Sequence, residues 1–282
     1  MDELVLNFGT AEPENGNLNV SSGDAMRTSG GERMPLAARM RPRTLDEYCG
    51  QTHILGAGKL LRRAIDADNF SSIILSGPPG VGKTSLAELI ARTTDAAFIR
   101  LSGVTSTVAD IRREIAAARE RRINTNRKTI LFVDEIHRFN KAQQDAFLPF
   151  VEKGSIILVG ATTENPSFEI NSALLSRCKV FVLKALEESD LTEMLNHALI
   201  SPKGLGDMQI EIGQEEIGVI ARFANGDART ALNTLEMAVL NGEVDQDGTV
   251  HVTDAVLAEC MNRRSLLYDK NGDEHYNLIS AL

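Results

Sequence analysis

The chain has no tryptophan among its 282 residues, three tyrosines and only three cysteines. Cys49, Cys178 and Cys260 lie far apart with no paired spacing, and none of the five histidines stands at a metal-ligand interval from another. This excludes a disulfide framework and a structural zinc site, and it points to a reducing cytoplasm. A basic excess is also missing. The net charge is −9, so the chain is no general nucleic-acid coat, and any polyanion must be met by a local patch. No apolar run approaches the ~20 residues needed to cross a bilayer. The N-terminus carries Asp2 and Glu3 where a signal peptide places basic residues, so no membrane partner is expected and the protein should stay cytoplasmic. With 43% hydrophobic residues, the chain can bury a sizeable core and is long enough for two domains.

Against these absences stands one octet, Gly77-Pro78-Pro79-Gly80-Val81-Gly82-Lys83-Thr84, between the apolar run Ile73-Ile74-Leu75 and a helical stretch from Ser85 to Arg92. Small residues at this spacing let successive backbone N–H groups curl around an anionic phosphate. The following helix adds its positive dipole end. Lys83 then reaches the β- and γ-phosphates of ATP and the Thr84 hydroxyl holds Mg²⁺, with Ser85 completing the binding segment. The alternative is a glycine-rich turn without a ligand.

Residues 1–33 are rich in Gly, Asn, Ser and acids and are expected to be a disordered tail. From 34 to 184 short apolar runs alternate with helical segments, the pattern of an α/β doubly wound sheet. The expected strands are Ser72 to Ser76, Ala97 to Leu101, Thr129 to Val133, Ile156 to Ala161 and Val180 to Leu183. They are apolar without alternation, as in parallel strands covered on both faces. From 185 to 264 apolar residues recur at helical spacing, as in Leu191, Met194, Leu195 and Leu199, which predicts a small all-helical domain. The stretch Arg263 to His275 is polar and Tyr276 to Leu282 starts an amphipathic helix, so residues 265–282 are expected to begin a C-terminal oligomerisation domain that continues beyond this chain.

The run Ile130-Leu131-Phe132-Val133-Asp134-Glu135 delivers two adjacent carboxylates at the C-terminal end of a buried strand, the edge where ligands of α/β sheets sit. Beside a phosphate loop, Asp134 orients Mg²⁺ through water and Glu135 polarises the attacking water. The next strand ends in Thr162-Thr163-Glu164-Asn165, which places Thr163 or Asn165 where a polar group aligns water against the γ-phosphate. The competing reading is a local cap.

On these motifs the chain resembles the AAA+ ATPases, and within them the clamp-loader and Holliday-junction helicase branch. The resemblance implies a P-loop AAA+ domain with a parallel five-stranded sheet followed by a helical lid. Leu174-Leu175-Ser176-Arg177-Cys178 looks like the clamp-loader Ser-Arg-Cys signature, which implies that Arg177 is an arginine finger for a neighbouring subunit. Gly226-Asp227-Ala228-Arg229 looks like the second sensor, with Arg229 folding over the γ-phosphate of its own subunit; its rival is a helix start capped by Asp227. Arg41-Pro42-Arg43 resembles the segment that packs around adenine, with Leu36, Pro42 and Ile54 as candidates for the base pocket or for simple core packing. The stretches Asp134 to Pro149, Gly160 to Phe168 and Pro35 to Pro42 are very similar to the family of replication-associated recombination ATPases, RarA, whose eukaryotic counterpart is the Werner helicase-interacting ATPase. That implies a DNA-dependent ATPase of stalled or damaged forks that assembles as a homo-oligomer, a tetramer in the full-length protein. The alternatives are a nucleotide-gated recruitment module and a clamp-loader subunit with little intrinsic turnover.

For DNA, whether a fork, a gap or a single-strand/duplex junction, the segment 109–128 offers Arg112, Arg113, Arg119, Arg121, Arg122, Arg127 and Lys128 against Asp110, Glu114 and Glu120. Such a helix lines a channel and follows phosphates, or is merely a solvated face. His137, Arg138 and Lys141 either couple DNA contact to Glu135 or form a subunit contact. In the tail, Glu3-Leu4-Val5-Leu6-Asn7-Phe8 resembles the peptides by which bacterial replication proteins dock onto the sliding clamp, without their leading glutamine. The clamp and single-strand binding protein are the candidate protein partners.

Overall fold

Five apolar runs become the strands of one parallel sheet: β1 (Ile73–Ser76), β2 (Ala97–Ser102), β3 (Thr129–Asp134), β4 (Ile157–Thr162) and β5 (Lys179–Val182), in the order β2-β3-β4-β1-β5. The computed structural model describes residues 34–268, so the expected tail at 1–33, its Glu3 to Phe8 peptide and the segment 269–282 lie outside the described residues. Each strand falls within one residue of its expected position at either end. Parallel strands need long crossovers, and the helices Lys83–Thr93 (β1 to β2) and Val108–Thr125 (β2 to its neighbour β3) supply the first two. The second opens on a reciprocal cap in which the Thr107 hydroxyl accepts the Asp110 N–H and Asp110 accepts the Thr107 N–H.

Side chains alternate between two apolar layers, following the period of two along each strand. Ile73, Leu75, Ile130, Phe132, Val159 and Ala161 pack with Leu86, Ala87 and Ile90 of the phosphate-loop helix. Ile74, Leu131, Val133 and Leu158 pack on the other face with Ile111, Ile115 and Ala118. Burying a residue such as Phe132, which has no exposed surface, contributes about 1.5–3 kcal/mol relative to leaving it in water. The chain reaches β5 from β4 by passing over β1, so β1 lies between them, and it is at the carboxyl ends of such strands that ligands of open α/β sheets sit.

The second half is built on the helices Glu188–Ile200, Gln214–Ala224, Ala228–Leu240 and Asp254–Tyr268. Leu191, Leu195, Ile217, Ile220, Leu232 and Leu235 form their shared core. The expected all-helical lid gains one feature, a three-stranded sheet of β6 (Ile210–Glu211), β7 (Glu243–Val244) and β8 (Val250–His251) in the order β6-β8-β7. Strands of two residues are too short to leave a periodic signal in a sequence. Gln51 clamps the start of the lid, donating its side-chain amide to the Lys184 carbonyl and accepting the Lys184 N–H. Among the described residues no helix is long and apolar enough to cross a membrane.

Candidate functional site

The phosphate loop leaves β1 at Gly77 and enters the helix at Lys83. Gly80 and Gly82 hold φ of 69° and 93°, the left-handed region that glycine adopts without a steric penalty, and this lets the loop curl tightly. Lys83 is 8% exposed and donates to the carbonyls of Gly77 (2.6 Å) and Pro78 (2.7 Å). Burial lowers its pKa from the ordinary lysine value. The charges of Glu135, Asp134 and Asp227 oppose that shift and Arg229 adds to it. Residues from two regions distant in sequence, the end of β3 and the start of the lid helix at Ala228, thus converge electrostatically on this one ammonium. Thr84 and Ser85 are half-buried in the first turn of the helix, Val81 is buried, and Pro78 and Pro79 face solvent.

Two contacts hold this loop. From behind, the Tyr48 hydroxyl donates to the Val81 carbonyl (3.1 Å) and fills the space beside Gly82, where a Cβ would lie 2.5 Å from its oxygen. Burial pushes the Tyr48 phenol pKa upward, so it stays protonated and remains a donor. From the lid, the Ala228 N–H reaches the Gly80 carbonyl (3.3 Å), and the Asp227 carboxylate, which caps its helix through the Thr230 N–H (2.9 Å), lies against Gly80. Both roles weighed for the Gly226 to Arg229 segment are therefore compatible: Asp227 caps, and the exposed Arg229 lies within electrostatic reach of Lys83.

Glu135 follows β3 with φ 55° and ψ 50°, a conformation uncommon for a residue other than glycine, and it turns the chain into the 3₁₀ turn Ile136–Arg138. Ile136 packs over Gly160, where a Cβ would lie 2.9 Å from its Cδ1 and 2.7 Å from that of Ile74, so a larger residue at this position of β4 would press on both side chains. The turn brings His137 Nδ1 within 3.3 Å of the Glu135 carboxylate and 2.9 Å of the Thr162 hydroxyl. Asp134 meets Arg100 of β2, whose guanidinium donates at 2.6 Å and lies 5.9 Å from the centre of the Phe132 ring. Tyr48, Arg100 and Thr162 escaped the sequence reading. The signal for Arg100 was a lone cation inside the apolar run of β2, two register steps from Asp134.

Thr163 and Asn165 are exposed at the end of β4, and Asn165 caps the turn Pro166–Glu169 by accepting the Ser167 N–H at 3.0 Å. The neighbouring Thr162 is fully buried and carries the inward hydroxyl. Leu36 packs in the lid core beside Leu232 and Leu235, Ile54 packs on the layer beneath β1, and Pro42 is half-buried. Arg177 stands just before β5, whose first residue Lys179 pairs with Ile73, so it lies at the amino edge of the sheet. The β1 strand alone separates that edge from Gly77 by roughly 13 Å at ~3.3 Å per residue, a span too long for an arginine side chain reaching its own loop. Its guanidinium is held by Glu152 and by the Ala173 carbonyl (2.6 Å). In the basic segment Arg113 pairs with Asp110, Arg127 with Asp95 and Lys128 with Asp68, and Arg121 and Arg122 bond to Thr129 and to the Asn126 carbonyl. Arg112 and Arg119 are exposed.

The ATPase family associated with various cellular activities (AAA) matches residues 73–186, and the AAA C-terminal domain matches residues 206–282. Replication-associated recombination protein A of Escherichia coli is 54% identical over 249 residues, which covers 88% of this chain and 56% of that protein. ATPase WRNIP1 of Dictyostelium discoideum is 41% identical over 263 residues, covering 88% of this chain and 30% of that protein. Among solved structures, the Holliday junction branch migration motor RuvB of Thermotoga maritima superposes with a TM-score of 0.61 at 27% identity, covering 80% of this chain and 73% of that one. The chain spans about half the length of the bacterial relatives it matches, 56% of the Escherichia coli protein. With the phosphate loop, the acidic pair and the lid arranged as above, the chain belongs to the AAA ATPases, in the family of replication-associated recombination protein A.

Proposed function

We propose that this chain binds and hydrolyses ATP at the carboxyl edge of its sheet as a DNA-dependent ATPase of fork maintenance, repair and recombination. One observation carries this reading: the buried Lys83 ammonium lies in the phosphate loop with Asp134, Glu135 and Arg229 all within electrostatic reach. Thr84 and Asp134 offer hard oxygen donors, which suit magnesium, and they would hold it, Asp134 through water. Bound with the nucleotide, magnesium would supply neutralisation of the phosphate charge. Lys83 exchanges the loop carbonyls for the phosphates, and Glu135 takes a proton from water as the water oxygen bonds to the γ-phosphorus. The bond from that phosphorus to the bridging oxygen breaks, and ADP and phosphate leave.

Arg229 follows the γ-phosphate of its own subunit and so ties the lid to nucleotide state. Arg177, turned away from its own loop, serves the site of an adjoining subunit in a homo-oligomer, a tetramer in the full-length protein. A finger acting in trans is worth ~10³ to 10⁵ in turnover, so the isolated subunit turns over slowly. DNA, as a fork, a gap or a single-strand/duplex junction, is the activator, and the exposed Arg112 and Arg119 are the residues of the basic helix left to meet its phosphates. The working place is the bacterial cytoplasm, on the nucleoid. The name of the Escherichia coli relative and the Holliday-junction role of the RuvB motor support the DNA assignment. Measuring ATP turnover with and without forked, gapped and single-stranded DNA tests it. Stimulation by at least one of these is expected, and equal turnover with all and with none would contradict it.

A further inference from the structure

Thr162 joins two parts of the site that are otherwise separate. Its backbone carbonyl accepts the N–H of Gly77, the first residue of the phosphate loop, at 3.2 Å. Its hydroxyl, with no exposed surface, accepts the Glu164 N–H at 3.0 Å and faces His137 Nδ1 at 2.9 Å. His137 Nδ1 in turn lies 3.3 Å from Glu135. The same imidazole nitrogen therefore meets the Thr162 oxygen and the Glu135 carboxylate together. Ser76, the last residue of β1, adds a second tie, its hydroxyl donating to the Glu164 carbonyl at 3.2 Å.

We propose that Thr162 and His137 form a positioning relay that sets the Glu135 carboxylate against the attacking water according to the position of the phosphate loop. The inference rests on the reading of Glu135 as the base. Nucleotide engages the loop that begins at Gly77, and the strand end that Gly77 bonds is the one that carries the Thr162 hydroxyl. A shift of the loop is therefore delivered to the imidazole, and through it to the base. Neither His137 nor Thr162 exchanges a proton with the reacting atoms; both act through Glu135. A base held with its rotamer fixed matters because misplacing a catalytic group by about 1 Å costs roughly 10²-fold in rate.

The test measures kcat, KM for ATP and equilibrium binding of a fluorescent ATP analogue for His137→Ala, Thr162→Val, Thr162→Ser and Glu135→Gln. The relay requires kcat to fall roughly 10²-fold in His137→Ala and Thr162→Val while KM and analogue affinity stay at the parental values. Thr162→Ser, which keeps the hydroxyl, should retain parental kcat, and His137→Ala combined with Thr162→Val should be no slower than either alone, as for residues that act as a unit. Retained analogue binding also reports that each variant is folded. Parental kcat in His137→Ala beside an inactive Glu135→Gln would overturn the relay alone, as would a Thr162→Ser variant as slow as Thr162→Val. Parental kcat in Glu135→Gln would overturn the base assignment and the relay with it.

Discussion

Replacing Gly80 by alanine should loosen the lid from the phosphate loop, and part of that loss should be shared with Asp227. The position holds φ 69°, where an L-residue costs about 1 kcal/mol. The new Cβ would lie 1.8 Å from Asp227 Oδ1, so the carboxylate must leave the Thr230 N–H that it caps. Losing such a cap costs about 1 kcal/mol. Gly80→Ala is therefore expected to destabilise by about 2 kcal/mol and Asp227→Ala by about 1 kcal/mol. In the double variant there is no carboxylate left to clash and the cap is lost only once, so the total should be about 2 kcal/mol, about 1 kcal/mol less than additivity requires. Denaturant unfolding of the four proteins measures this coupling directly. Additivity within about 0.3 kcal/mol would refute the contact between lid and loop.

Arg177→Ala should keep nucleotide affinity and lose turnover, and mixing it with Glu135→Gln should restore part of the activity because one mixed interface regains both an intact base and an intact finger. Absence of rescue in mixed assemblies of verified composition would count against a finger acting in trans. Burial pushes the thiols of Cys49 and Cys178 up to about 11, so in the folded protein both should resist iodoacetamide at neutral pH and react only after denaturation. Mass spectrometry showing either alkylated as fast as a free thiol would contradict that burial. In the lid sheet the Asp245 carboxylate raises the His251 pKa and is itself held below the ordinary carboxylate range, first by the hydrogen bond from His251. The stability from His251 is present below the unfolded imidazole pKa and lost as pH rises through the raised folded value. That from Asp245 is present above the unfolded carboxyl pKa and lost as pH falls through the lowered folded one. An NMR titration should place the His251 midpoint above that of a model imidazole, and a midpoint at or below it would break the pairing.

The sheet was legible because each strand is a short apolar run with no alternation, a pattern that two covering layers impose. The phosphate loop stands out as a motif because a tight anion cradle tolerates few residue types, and the acidic pair because it ends an apolar strand; the structure sets Lys83 within electrostatic reach of Asp134 and Glu135. What escaped the reading are contacts between residues remote in sequence. Tyr48 meets Val81 across 33 positions and Arg100 meets Asp134 across 34, and no local pattern predicts which partner such side chains find. Leu36 illustrates the same limit: its neighbourhood leaves a base pocket and simple core packing both open, and the structure packs it in the lid core with helix Ala228–Leu240. Thr162, Thr163 and Asn165 all lie at the end of one strand, and only the alternation of the pleat together with the seating of Ile136 decides which side chain turns inward.

A crystal structure with a nonhydrolysable ATP analogue and magnesium tests the central claim most directly. The triphosphate should lie in the curl from Gly77 to Thr84, with the Lys83 ammonium moved from the Gly77 and Pro78 carbonyls onto the phosphates and Glu135 facing the γ-phosphorus. An analogue bound elsewhere, or a loop whose carbonyls keep Lys83 while the analogue is present, would contradict the account.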